Sequence, residues 1–142
     1  MGRPVLSATP WGRPVLAAAA PAGYVGAVPL ILFADDEGAF REALTMALED
    51  AGFAVRGVAD GRAALDALAA TPPDLLLLDV NMPRLDGFTV CRRVREQGLR
   101  VPVVLLTSRD SEVDEALGLE LGADDYGTKP VSARELILRL QA

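Results

Sequence analysis

Four short apolar segments of this chain each end in a side chain that can do chemistry. Segment 28–34 runs into Asp35-Asp36-Glu37, 75–78 into Asp79, 101–106 into Thr107-Ser108, and a shorter one through Tyr126-Gly127-Thr128 into Lys129-Pro130. In chain order these supply an acidic pair, a lone carboxylate, a hydroxyl and an ammonium. Three carboxylates gathered at one place disfavour one another's ionisation unless a cation neutralises them. An all-oxygen set without His or thiol suits Mg²⁺, which keeps several waters and leaves room for a phosphate oxygen. Each residue alone has a plainer reading. Asp79 can open a turn or cap a helix, Asp35 or Asp36 can cap a helix, and Thr107 can be an ordinary β-branched strand residue. The ordered set is what carries the chemistry.

Positioning such a set takes strands that end side by side. Leu75-Leu76-Leu77-Leu78, bounded by Pro72-Pro73 and by a Pro/Asp/Gly turn, has the pattern of a parallel strand buried on both faces. Open α/β sheets place ligands at the carboxyl ends of their strands, where Asp79 falls. Strand and helix alternate five times from Val28 onward. Phe40, Leu44 and Leu48 form the apolar stripe of the first helix. Phe53-Ala54-Val55 makes a short second strand, and Ala59-Asp60-Gly61 turns into a second helix with Ala64, Leu65 and Leu68 on one face. A third helix follows Gly87. The fourth begins near Asp110 or Ser111, with Glu112, Asp114 and Glu115 where the helix dipole favours anions. The fifth starts near Ser132, with Glu135 completing a capping box, and the sequence stops within it at Ala142. Parallel strands joined by helices cross over right-handedly, which predicts an α/β fold, a three-layer α/β/α sandwich.

Composition narrows the function classes. The 142 residues fit one domain, and no apolar run approaches the ~20 residues needed to cross a bilayer. The net charge is −6, and the first 27 residues hold Arg3 and Arg13 but no acid, so the remainder is more acidic still. Nucleic-acid binding by this segment itself would want a basic face. The single cysteine, Cys91, cannot pair within the chain and fits a reducing, cytoplasmic setting; among Phe88, Val90 and Val94 it reads as core. Residues 1–27 repeat Gly-Arg-Pro-Val-Leu at positions 2 and 12, and Pro and Gly punctuate them too often for a helix. They read as a flexible extension, with Trp11 bound to a partner as the minority reading, and 28–142 as the domain. Lys129 is the one lysine in a chain that otherwise uses Arg, which favours a site that wants a compact ammonium.

The four strand ends, with Met82-Pro83-x-x-Asp86-Gly87 and Gly122-Ala123-Asp124-Asp125-Tyr126, make the stretch from about Val28 onward resemble the receiver domain of bacterial response regulators, the CheY-like family. The resemblance implies a five-stranded parallel sheet in the order 2-1-3-4-5, the flavodoxin-like arrangement. It implies that a sensor histidine kinase transfers a phosphoryl group to the Asp79 carboxylate in a two-component system. Asp36 and Asp79 would bind Mg²⁺ directly, Asp35 largely through water, and Asn81 through its backbone carbonyl. Lys129 and the Thr107 hydroxyl would meet the phosphoryl oxygens, and Tyr126 would turn inward behind Thr107. Lys129-Pro130 corresponds to a cis peptide in the family.

Departures from the family pattern are Ser108 for the usual Ala or Gly, Arg109 after it, and Val131 for the usual Phe. The stretch from Gly118 to Tyr126, with Arg134-Glu135-Leu136 and Arg139, is similar to receivers of OmpR-like winged-helix transcription factors. Those dimerise through helix four, strand five and helix five, which here would pair Asp124 and Asp125 with Arg134 and Arg139. Leu117 stands where that subfamily carries a basic residue. Two other classes remain: a Mg²⁺ phosphatase of the haloacid-dehalogenase type, which needs a second acid where Asn81 stands, and a non-phosphorylated pseudo-receiver serving as a binding module.

Overall fold

The computed structural model describes residues 28–108, 112–129 and 133–141. The expectations for 1–27, Arg109, the Lys129-Pro130 isomer, Val131 and the Ser132 cap lie outside those residues. Within them the chain alternates β1 (Leu30–Ala34), α1 (Gly38–Asp50), β2 (Ala54–Val58), α2 (Gly61–Ala70), β3 (Leu75–Asp79), α3 (Gly87–Glu96), β4 (Val103–Thr107), α4 (Glu112–Glu120), β5 (Asp125–Thr128) and α5 (Ala133–Gln141). The strands form one parallel sheet in the order β2-β1-β3-β4-β5, as expected.

Side chains alternate across a strand, so residue parity sorts the core into two halves. Leu32, Ala34, Leu76 and Leu78 face α2 and α3, where they meet Ala64, Leu68, Val90, Cys91 and Val94. Ile31, Phe33, Leu75 and Leu77 face α1 and α5, against Leu44, Leu48, Leu136 and Leu140. Every residue of β3 and β4 is buried, which is why those segments read as unbroken apolar runs. Each leucine of β3 contributes about 1.5–3 kcal/mol through burial. Cys91 belongs to this core: its thiol donates to the Leu121 carbonyl at 3.6 Å, and burial pushes its pKa up to about 11.

The observed β2 begins one residue later than expected and continues to Val58, through Arg56 and Gly57. It is an edge strand paired with β1 alone, and none of its residues is fully buried, so hydrophobicity understates its length. Two helix starts are fixed by carboxylates: Asp60 accepts from Ala63 N–H at 2.8 Å and Asp86 from Thr89 N–H at 2.7 Å.

Gly87 lets α3 begin directly beneath the end of β3. A Cβ there would collide with the carbonyl of Asp79 and lie 2.9 Å from the Cα of Val80, while the Gly87 N–H donates to Val80 O at 2.9 Å. The same economy holds at Gly118, where α4 passes within contact of Leu105, Tyr126 and Phe88.

Candidate functional site

The sheet order brings β1, β3, β4 and β5 side by side, so their final residues line one edge. Asp79 is the last residue of β3 and stands level with Leu106 of β4; Thr107 is the last residue of β4, level with Thr128 of β5. Asp35 follows β1 directly, and Lys129 follows β5. Three carboxylates and an ammonium from three different strands, β1, β3 and β5, thus converge, as the sequence pattern predicts.

Asp35, Asp36 and Asp79 each offer a carboxylate oxygen, and these atoms lie within 4.8 Å of one another. Asp35 and Asp79 are buried, whereas Asp36 is exposed at the mouth. Asp35 is held on every side. Its N–H donates to Val58 O at 3.0 Å, its Oδ1 accepts from Glu37 N–H at 2.8 Å, and its Oδ2 accepts from Lys129 Nζ at 2.6 Å. Arg41 Nη1 donates to its carbonyl at 2.6 Å. Lys129 Nζ also stands 3.6 Å from Asp79 Oδ1. The Lys129 N–H donates to Thr107 O at 2.6 Å, which ties the ammonium's backbone to the strand end carrying the hydroxyl. Thr107 is fully buried.

Burial pushes the Asp79 carboxyl up from 3.8 to about 6, and the charges of Asp35 and Asp36 act in the same direction. The Lys129 ammonium and a backbone hydrogen bond from Asn81 oppose the rise. A buried carboxylate crowded by two others has a strong preference for a cation. The oxygens of Asp35, Asp36 and Asp79 can hold a hard divalent ion. Asn81 is exposed immediately beyond the strand end, beside this pocket in sequence. A cavity of about 630 Å³ lies elsewhere, at the opposite ends of β3 and β4, lined by Pro72, Pro73, Asp74, Val101 and Pro102. It touches none of the site carboxylates.

Tyr126 is buried in the core half that includes Leu105 and Ala123, with Gly118 leaving room for its ring. Asp124 and Asp125, expected to pair with basic groups of another copy, already make contacts within the chain. Asp124 Oδ2 already accepts from Arg95 Nη2 at 3.1 Å and from Val103 N–H at 2.8 Å, and Asp125 is buried. Asp125 Oδ1 accepts from the Tyr126 N–H at 2.7 Å. Arg134 is exposed on α5.

Sequence reading missed two neighbours of the site. Arg41 clamps the Asp35 carbonyl, and the Phe40 ring lies under the Lys129 ammonium, 4.3 Å from ring centroid to Nζ. Helical spacing assigned Phe40 to the core stripe, which it also serves, and nothing in the local sequence marks either contact.

Comparison with known proteins agrees with this geometry. A family model described as the response regulator receiver domain matches residues 31–141. The transcriptional regulatory protein CseB of Streptomyces avermitilis is 47% identical over 112 residues, covering 79% of this chain and 47% of the relative. The alkaline phosphatase synthesis transcriptional regulatory protein PhoP of Bacillus subtilis matches with the same identity and coverage. The chain therefore spans about half the length of these curated relatives. Among solved structures, a Francisella response regulator receiver domain superposes with a TM-score of 0.77 at 34% identity, covering 80% of this chain and 93% of that one. The BeF₃-activated receiver domain of Klebsiella pneumoniae RstA gives 0.75 at 37% identity, with 79% and 95% covered. No helix among the described residues is long and apolar enough to cross a membrane.

Proposed function

The chain belongs to the response regulator receiver domain family, and we propose that it acts as a phosphoacceptor switch with Asp79 as the acceptor. A cognate histidine kinase comes with that family. An Asp79 carboxylate oxygen attacks the phosphorus carried by the kinase's histidine. A new P–O bond forms as the P–N bond breaks, and the electron pair leaves with the imidazole nitrogen. Hydrolysis later returns Asp79 and inorganic phosphate. The observation that carries this reading is the Lys129 ammonium standing 2.6 Å from Asp35 and 3.6 Å from Asp79, in a pocket where three carboxylates come within 4.8 Å.

Mg²⁺ is the ion that suits the donor set, with Asp35, Asp36 and Asp79 as carboxylate contacts and the Asn81 carbonyl as a further oxygen. When bound it would offset charge on the phosphoryl oxygens. Lys129 does the same from the β5 side, and the Thr107 hydroxyl donates to a phosphoryl oxygen from β4. Residues 28–142 form the receiver, and 1–27 an extension before it. Its setting is the cytoplasm, where such kinases present their phosphohistidine.

The output face is α4, β5 and α5. Leu117 and Leu119 on α4 and Leu138 on α5 are exposed, and they support a phosphorylation-dependent homodimer with an apolar contact where acid–base pairs were expected. The two named relatives are transcriptional regulatory proteins, and control of transcription by a further domain fits that output. Incubation with acetyl phosphate and Mg²⁺ followed by intact mass measurement tests the core of the proposal. One added phosphoryl group is expected, absent in Asp79→Asn; labelling that persists in the variant would move the acceptor elsewhere. A phosphatase would instead release phosphate over many turnovers, and a pseudo-receiver would take no label.

A further inference from the structure

Lys129 is usually accounted for by the anions around it, yet its third neighbour is a hydrocarbon face. Phe40 sits in the first turn of α1, and its ring centroid lies 4.3 Å from Lys129 Nζ. Phe33 of β1, fully buried, meets the same ring edge-on, with centroids 6.1 Å apart and planes at 74°. That arrangement leaves the electron-rich face of Phe40 turned to the ammonium.

We infer that Phe40 is a positioning residue for Lys129, an aromatic platform that holds the ammonium at the acidic pocket. This deepens the phosphoacceptor reading and rests on it for its consequence. Asp35 Oδ2 is the closest partner of Lys129, at 2.6 Å, and Asp35 is also one of the three carboxylates a divalent ion would engage. Whatever binds Asp35 therefore weakens the anchor of the ammonium before any phosphoryl group has arrived to replace it. A ring face attracts a cation without competing for a metal and without titrating. It also shields the side chain, which is only 12% exposed. An aliphatic residue at position 40 would fill the same core volume and attract nothing. A carboxylate there would trap the ammonium away from the incoming phosphate.

The chain contains one lysine, so isotope-labelled lysine gives a single side-chain spin system by NMR. In the metal-free protein the Lys129 methylene protons should be shifted upfield by the ring current. Phe40→Leu should abolish that shift and Phe40→Trp should keep one. With acetyl phosphate and Mg²⁺, labelling of Asp79 should slow about two- to thirtyfold in Phe40→Leu and recover in Phe40→Trp. Fluorinated phenylalanines at position 40 keep the shape and withdraw charge from the ring face, so the rate should fall stepwise with fluorine count while thermal stability holds. An unshifted Lys129 signal in the wild type, or a rate indifferent to fluorination, would reduce Phe40 to packing and overturn the proposal. A wild type that takes no label would overturn the phosphoacceptor reading instead, and the metal-free NMR signal would still decide the Phe40 contact.

Discussion

Arg95 and Asp124 join the far ends of α3 and β4 to the turn before β5. Arg95 Nη2 donates to Asp124 Oδ2 at 3.1 Å, and that oxygen also accepts from Val103 N–H at 2.8 Å. The same guanidinium donates from Nε to Gly122 O at 2.9 Å, and from Nη1 to Leu99 O at 3.0 Å and Val101 O at 2.7 Å. One half-buried side chain thus satisfies three backbone carbonyls and one carboxylate. Its planar fork is what lets it do so, whereas Lys would offer a single nitrogen.

Arg95→Ala should therefore destabilise the domain by about 2–4 kcal/mol, because it strands a carboxylate and several carbonyls together. Arg95→Lys should recover less than half of that. Urea unfolding followed by circular dichroism measures both. A loss within the ordinary range for surface substitutions would show that the network is ornamental.

The pKa of Asp79 makes a signed prediction. Its carboxyl is pushed up from 3.8 to about 6 in the metal-free fold, so the folded state binds the proton more tightly than the unfolded one. Stability is thus highest below the unfolded value, falls as pH rises between about 4 and 6, and stays reduced above that. Asp79→Asn removes the charge and should raise metal-free stability by about 1–3 kcal/mol at pH 7.5, with little effect near pH 3.5. A divalent ion that engages Asp79 should expel its proton, so ion affinity should climb as pH rises through 6. Thermal melts at the two pH values and titration calorimetry with Mg²⁺ check the pair. Equal shifts of Tm at both pH values would contradict the burial argument.

Lys129→Arg should not restore phosphorylation, although it conserves charge. The ammonium is a point wedged between Asp35, Asp79 and the Phe40 ring, and a planar guanidinium is too long and too flat for it. Labelling by acetyl phosphate should drop by about tenfold or more in this variant, a scale set by the loss of roughly 1.4 kcal/mol of transition-state stabilisation. Wild-type labelling in Lys129→Arg would mean that the lone lysine is an accident of composition.

How much of this was legible beforehand follows from where each residue's partners lie. The four strand ends could be read because β1, β3 and β4 are central and sheathed on both faces, so their sequences are apolar runs with abrupt polar ends. Parallel topology then brings Asp35, Asp79, Thr107 and Lys129 together without any further information. β2 was shortened because an edge strand carries Arg56 and Gly57 at no cost. The hold of Arg41 on Asp35, of Phe40 on Lys129 and of Arg95 on Asp124 could not be read. Each depends on the direction of one side chain, and two of the three span more than 25 residues of chain. The same blindness hid the internal partners of Asp124 and Asp125, which are Arg95 and the Tyr126 N–H.

Those internal contacts bear on the expected mode of dimerisation. With Asp124 bonded to Arg95 and Asp125 buried, charge pairing across a twofold axis would have to add to contacts these acids already make within the chain. Beside exposed Arg134 and Glu135, α4 and α5 also expose apolar side chains: Leu117 at 40%, Leu119 at 44% and Leu138 at 59%. A twofold axis presents the same patch on both copies, and apolar side chains are self-complementary in a way that like charges are not. Exposed ion pairs would add only about 0–1 kcal/mol each, whereas burying a leucine side chain is worth about 1.5–3 kcal/mol. Beryllofluoride with Mg²⁺, a phosphate mimic, should therefore strengthen self-association, and the gain should resist added salt. Leu138→Glu should abolish the dimer while leaving acetyl phosphate labelling of Asp79 intact. Sedimentation at low and high salt measures both. A monomer at high concentration with Asp79 demonstrably occupied would rule out this output mode, and a dimer that dissolves in salt would return the interface to charge.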